Sequence, residues 1–381
     1  MTIGSRSRMS VDMINDALSP KDLSTHCPLC GRGFDVCPAT DEHIFPRWLQ
    51  DGYGIRGRRL NIPNAVDRHY KSVKVGICRT CNNETYSRLE ARLAPMLTSD
   101  DPYEAAAAAS DRELAVWLGK IFWLLLRKHN ADPDFRTRRD PVPDMVIPGS
   151  LMPGAAYLGL FQRAFATGRD MMACYIDDPA DTEFYEPPFS LYRVKIDVRD
   201  TAAEAFDFVD DPFVLGAAIR LGTLGLICLF DGGLHRDFRA MHFPYLESES
   251  HHPVQFAETA GLIFYDGTVM HEQARGFQTF WSPALASVVA VNETPRSFDP
   301  YMMANHDPRR LARYLGRVLS QDPAEILDSE GNFFSTILEP GGGFFRYPVT
   351  EDEIAAHRRD PHRRFILQEA RWRMGASNSA R

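Results

Sequence analysis

The sequence predicts an α+β fold in two parts. A small cysteine-stapled module spans residues 24–97, a larger mixed α+β domain spans residues 98–381, and residues 1–23 form a loose arm ahead of them. Three observations carry this reading. The 381 residues exceed one ordinary domain, and a hydrophobic share of 44% suffices for a real core. Four of the seven cysteines stand as two CxxC pairs within the first hundred residues. The net charge of -8 is unevenly spread: residues 1–100 carry 14 Lys and Arg against 11 Asp and Glu, and the remainder 29 against 40. Such a chain does not coat nucleic acid along its length, and any contact of that kind belongs to the basic first part.

Two pairs of thiols define the module. Cys27 and Cys30 form CPLC, followed by Gly31, and Cys78 and Cys81 form CRTC. A CxxC turn sets two thiolates on one side of a knuckle, and two knuckles complete the tetrahedral shell of a closed, structural Zn(II) site. Gly31 suits the first knuckle because it tolerates positive φ. The 47 residues between Cys30 and Cys78 are too many for a bare ribbon, so a folded insertion is expected there. Within it, Val73–Ile77 alternates and reads as a strand. Cys37 stands alone, and Cys174 and Cys228 lie in apolar runs as core residues.

Beyond Pro95, LTSDDP (97–102) reads as a linker. Ser110 and Glu113 then form a capping box, and Leu114, Trp117, Leu118, Ile121, Phe122, Leu125 and Leu126 follow helical spacing. This helix is apolar nearly all round and is expected in the core. Its greasy stretch of 13 residues, broken by Gly119 and Lys120, falls short of the roughly 20 that span a bilayer. A Pro-rich segment follows at 132–153. The runs 155–161, 171–176, 190–198, 219–230, 261–265 and 287–291 then read as strands. Helices are expected at 308–319, started by Asp307, and around 351–374 with an interruption at Pro361, and Gly341–Gly343 as a turn. No apolar leader opens the sequence, so the protein is expected in the cytoplasm, with its cysteines as thiols or metal ligands.

The chemistry-bearing residues lie between and just after the knuckles: Glu42-His43-Ile44-Phe45-Pro46-Arg47-Trp48-Leu49, then Cys78-Arg-Thr-Cys81-Asn82-Asn83-Glu84 and on to Glu90. On these strings, EHIFPRWL and CRTCNNETYSRLE, the chain resembles HNH endonucleases of the ββα-metal type with paired cysteine knuckles. The resemblance covers about residues 24–95. It implies a zinc-stapled ββα-metal nuclease module, metal-dependent cutting of nucleic acid with DNA ahead of RNA, and a setting such as bacterial defence or a mobile element. The residue chemistry agrees. A neutral imidazole at His43, at the end of a first strand, can take a proton from water near pH 7. Glu42 is a hard oxygen donor for Mg(II) or Mn(II). Asn82, in the first turn of the helix after the second knuckle, can face the metal with its carbonyl, and the family carries His or Asn there. Asn82 and Asn83 also suit a helix cap before 84–93, and Glu90 reads as a helix-surface residue. The middle residue, which orients the base, is Asn61, Asn64 or His69, with His69 preferred as a second catalytic residue. Arg56, Arg58, Arg59, Lys71 and Lys74, with Arg68, suit phosphate contacts, which position without reading sequence. A solvated loop explains them equally well. Tyr53 and Tyr70 nearby stack on bases or pack.

Residues 98–381 hold no catalytic motif. They read as a regulatory or targeting body and as the part available for self-association. Two other readings stand beside the nuclease. One is a zinc ribbon that binds nucleic acid or protein without cutting, and the other is a body that senses a small molecule through an apolar pocket.

Overall fold

The computed structural model describes residues 24–61, 67–131, 152–177, 185–198, 204–238, 245–271 without 247, 277–293 without 283, 307–327, 333–337, 343–346, 352 and 364–365. The N-terminal arm, Asn64, most of the Pro-rich segment and most of the helix expected at 351–374 lie outside them.

The first part is a strand pair closed by a helix. Strand β1 (Ala39–His43) leads to a short helix, α1 (Arg47–Gly52). A small hairpin follows, β2 (Arg59–Asn61) with β3 (Asp67–His69), and then β4 (Lys74–Cys78) returns antiparallel to β1, setting Ala39 opposite Cys78 and His43 opposite Lys74. After Cys78 the chain passes through a wide helical turn, Cys81–Tyr86, into α2 (Ser87–Leu97). Pro95 lies inside the last turn of α2, and the helix ends two residues beyond it.

The segment read as a linker is ordered and built into the body. Asp101 caps a short turn, Pro102–Ala105, and accepts a hydrogen bond from Thr223 at 2.6 Å. Helix α3 (Asp111–Ala131) follows with the expected capping box: the Ser110 amide donates to Glu113 at 2.9 Å, and the Glu113 amide donates back to the Ser110 hydroxyl at 3.2 Å. Leu114–Leu126 is buried throughout, as its all-round apolar character requires.

Around α3 the body lays α4 (Met152–Ala166) and β5 (Asp170–Tyr175), and then an antiparallel sheet in the order β6-β9-β8-β7, from β6 (Ser190–Lys195), β7 (Phe206–Asp211), β8 (Gly216–Leu221) and β9 (Leu224–Leu229). Helix α5 (Pro253–His271) crosses this sheet and packs on α6 (Pro308–Leu319). Strands β10 (Phe277–Ser282) and β11 (Ser287–Asn292) pair antiparallel, and β11 runs parallel to β5. The architecture is mixed α+β, as expected. Three strand expectations are corrected: 155–161 lies in α4 and 261–265 in α5, both buried helices whose short apolar runs mimic core strands, and 219–230 is the end of β8, a turn at Gly222–Thr223 and β9. Near the end of the chain, Arg364–Phe365 pairs as a strand with Phe333–Phe334, so these two residues, expected in the helical piece after Pro361, are strand instead. Helix α6 has the expected bounds, and the Asp307 carboxylate accepts from the Arg309 amide.

One buried core joins the two parts. It holds Cys27, Leu29, Ile44, Phe45, Ile77 and Leu93 together with Trp117, Phe122, Phe161, Leu226 and Phe230. No helix among the described residues is long and apolar enough to cross a membrane.

Candidate metal and catalytic site

The first knuckle closes on itself, with the Cys27 amide donating to the Arg32 carbonyl and the Gly31 amide to the Cys27 carbonyl, both at 2.8 Å. Gly31 has φ +74°, the left-handed conformation the turn requires. The β1–β4 register delivers Cys78 beside this knuckle, and the helical turn places Cys81 one turn on. The four sulfur atoms of Cys27, Cys30, Cys78 and Cys81 all lie within 4.8 Å of one another, a group that could hold a metal ion. Cys30 and Cys78 are 3.5 Å apart. Thiols this close cannot all ionise by themselves. Their mutual hydrogen bonding holds Cys30 and Cys78 below the usual thiol value, while Cys27 and Cys81 are pushed above it. Four soft donors at this spacing fit a tetrahedral, closed site of the Zn(II) type. Cys37 stands apart, against the Thr80 hydroxyl at 3.4 Å, and Cys174 and Cys228 are buried in strands, as expected.

Along β1 successive side chains alternate between faces. Thr40 and Glu42 share the face turned to α2. Asn82 donates through Nδ2 to the Thr40 hydroxyl at 2.9 Å, and Thr40 donates in turn to the Ile77 carbonyl at 3.0 Å. Asn82 thus stands in the first helical turn, as expected, tied to the strand that carries Glu42. Neither Asn82 nor Asn83 caps the helix, whose preceding residues are already helical.

Glu42 is not free on this face. Its Oε1 accepts from the ammonium of Lys120 on α3, and the same ammonium donates to Glu90 on α2 at 2.6 Å. Lys120 is 1% exposed, against 12% for the Glu42 side chain and 15% for Glu90. Burial pushes the ammonium down, and the Glu90 and Glu42 carboxylates more than offset it, leaving Lys120 above the ordinary lysine value. Burial raises Glu42, and Lys120 opposes it. Glu90 is therefore an inward group rather than the helix-surface residue expected. The sequence signal for this cluster was a lone lysine in the middle of an all-round apolar helix, since such a charge is buried only when paired.

His43 ends β1 on the opposite face. The buried Gln50 side chain of α1 donates through Nε2 to the Phe45 carbonyl at 2.7 Å and lies 3.4 Å from His43 Nδ1. The amide can only donate there, so the contact suits the tautomer that carries its proton on Nε2, and at 3.4 Å it is weak enough for Nδ1 to accept a proton instead. Burial first, then Lys74, Arg47 and Arg56, hold His43 below the ordinary histidine value, with Asp41 opposing. Arg47 lies within the EHIFPRWL string, which assigns it no role, and Gln50, just beyond it, belongs to no pattern.

The other expected residues are placed as follows. His69 is exposed at the end of β3, with Nδ1 2.8 Å from the Gly57 carbonyl, and no described contact joins it to His43. Asn61 ends β2. Arg56 is exposed and pairs with Asp51 at 3.3 Å, and Lys74 lies 3.9 Å from Asp41. Arg59 stands in β2 opposite His69, and Lys71 is exposed in the turn before β4. Arg58 is engaged by the body, pairing with Glu204 and donating to the Phe206 carbonyl at 3.5 Å. Tyr53 and Tyr70 pack: both rings lie against Phe206 at 6.0 and 5.7 Å, and Phe45 stands 4.7 Å from Tyr70.

Comparison with known proteins returned no family model, no curated protein and no solved structure that matches this chain.

Proposed function

We propose that the chain is a zinc-stapled, metal-dependent nuclease that hydrolyses phosphodiester bonds, with DNA ahead of RNA as substrate. The observation that carries this reading is the setting of His43. An imidazole kept neutral by burial and by Lys74, Arg47 and Arg56 is a competent base near pH 7, and the same three cations suit a phosphodiester lying against it. His43 accepts the proton of the attacking water, and Gln50 restrains the ring. A divalent ion such as Mg(II) or Mn(II), when bound, supplies neutralisation of the charge that builds on phosphate and leaving oxygen. Asn82, through its side-chain carbonyl, and Glu42, through Oε2, would be the donors to hold it; they lie across β1 from His43, so the substrate would have to reach both faces at the end of the strand. Zn(II) at the four cysteines is structural, because four thiolates leave no position for water.

The test is incubation of the purified chain with plasmid, linear DNA and RNA in Mg(II), Mn(II) or EDTA, beside His43→Ala. Divalent-dependent cutting that His43→Ala loses supports the reading, and cutting by His43→Ala at the wild-type rate removes the assignment. One contact favours a second reading. The engagement of Glu42 by Lys120 weakens the divalent-metal donor set, as expected of a module that binds nucleic acid without cutting it. Binding without cleavage under every metal condition would select that reading.

A further inference from the structure

We infer that Lys120 is the resident cation of the Glu42–Glu90 pair: its ammonium occupies the position between the two carboxylates that a bridging metal ion would take. Helix α3 of the body thereby becomes part of the site. This goes beyond the nuclease reading and stands on the contacts alone.

Glu42 comes from β1, Glu90 from α2 and Lys120 from α3, so three separate elements deliver one charge cluster. Two carboxylates at 12% and 15% exposure facing each other without a cation would repel in a poorly hydrated space. Hard oxygen donors in such a pair attract divalent ions. Here the ammonium, with three donors and no acceptor, hydrogen-bonds both. It is held in place. The Tyr86 ring lies 5.4 Å from Nζ. The adjoining Gly119 abuts Phe230 and Gln162, with room for no side chain of its own. The indole of Trp123, three residues on, donates to the Pro28 carbonyl at 2.9 Å. A divalent ion bridging the pair would have to share its position with a buried positive charge, and like charges in so small a space repel strongly.

The test is Mn(II) binding to the full-length, zinc-loaded chain, followed by electron paramagnetic resonance without nucleic acid, so that its outcome is independent of any nuclease activity. The wild type and Glu90→Gln should titrate alike, because no metal bridges the pair. Lys120→Met should gain a Mn(II) site that Lys120→Met/Glu90→Gln lacks, and Mn(II) should raise the Tm of the first variant but not of the second. The inference is overturned if Glu90→Gln weakens wild-type Mn(II) binding tenfold or more, since the pair would then hold metal beside the ammonium. It is equally overturned if folded Lys120→Met gains no Glu90-dependent site. If Lys120→Met does not fold, the comparison of wild type with Glu90→Gln still decides.

Discussion

Single residues here do their work through what surrounds them, and two histidines show it in opposite ways. His43 is held neutral beside three cations. If the chain is the nuclease proposed above, His43→Ala should lower its cleavage rate about a hundred- to ten-thousand-fold, the usual cost of losing a general base. Zinc content and melting temperature should stay unchanged, which metal analysis and calorimetry would check. His129, at the end of α3, is 3% exposed, and its two ring nitrogens find no hydrogen-bond partner among the described residues. Burial, then Arg68 and Lys128, drops its pKa to about 3 from 6.5. Its folded pKa lies below the unfolded one, so the unfolded chain takes up the proton first as pH falls. Its titration costs the fold nothing above about pH 6.5, and as pH falls from there toward pH 3 it destabilises the fold by about 1.4 kcal/mol per pH unit. His129→Leu should stabilise the fold at pH 7 by about 1–3 kcal/mol, since it removes unmade hydrogen bonds. Subtracting its stability curve from that of the wild type isolates this slope from groups such as Asp210, which burial raises to about 6 and which acts with the opposite sign. An unchanged difference between pH 7 and pH 4 would contradict the account. The sequence made the four cysteines legible through their repeated CxxC spacing, whereas His43, Glu42 and Asn82 were singled out by a family resemblance. It flagged Lys120 only as a lone charge in an apolar helix, because its two partners come from elements distant in sequence.

At the scale of elements, α3 is the member on which the others depend. Its start was legible from Ser110 and Glu113, and its burial from an apolar run interrupted only by Gly119 and Lys120, because capping and helical periodicity are local properties. The same local reasoning misassigned α4 and α5. A helix buried on all sides shows no polar face, so a window of five or seven apolar residues cannot distinguish it from a core strand. What α3 does with its residues was not local at all. Trp117 stacks on Trp48 at 5.8 Å, Lys120 reaches Glu42 and Glu90, and Trp123 reaches Pro28. These residues recur every third position and form one stripe that meets the zinc-type module. Gly119 lets the helix approach closely enough: a Cβ added there would lie 2.6 Å from the Phe230 ring and 2.7 Å from Gln162. Gly119→Ala should therefore destabilise the chain by about 1–3 kcal/mol through overpacking, despite the better helix propensity of alanine. Urea unfolding measures this, and a stabilised variant would show that the neighbours move aside freely.

For the whole molecule, the boundary near residue 97 divides the chain by charge and by motif, whereas the buried core runs across it. Phe45 and Tyr70 of the insertion pack on Phe206 and Phe208 of β7, Arg92 pairs with Glu113, and Tyr86 donates to Gln162 of α4 at 2.9 Å. A module joined to its body by so many buried contacts does not unfold alone without exposing the body's own apolar surface. Metal loss is the way to see this. Cys78→Ser with Cys81→Ser removes two of the four sulfurs, and zinc analysis should fall from about one ion per chain to none, as for a four-coordinate site. A structural ion stabilises the fold by its binding free energy, so its loss should lower the Tm of the entire chain. Calorimetry should show one transition before and after, shifted downward. Near-ultraviolet dichroism should report the change in step with it, because Trp48, Trp117 and Trp123 lie across the junction. Proteolysis at 97–105 should be slow in the zinc-loaded chain, since Asp101 is hydrogen-bonded to Thr223 and Pro102 is buried there, and it should accelerate once the cysteines are replaced. An early, separate transition assigned to the module, with the body's melting unmoved, would mean that the shared core transmits no stability across the boundary.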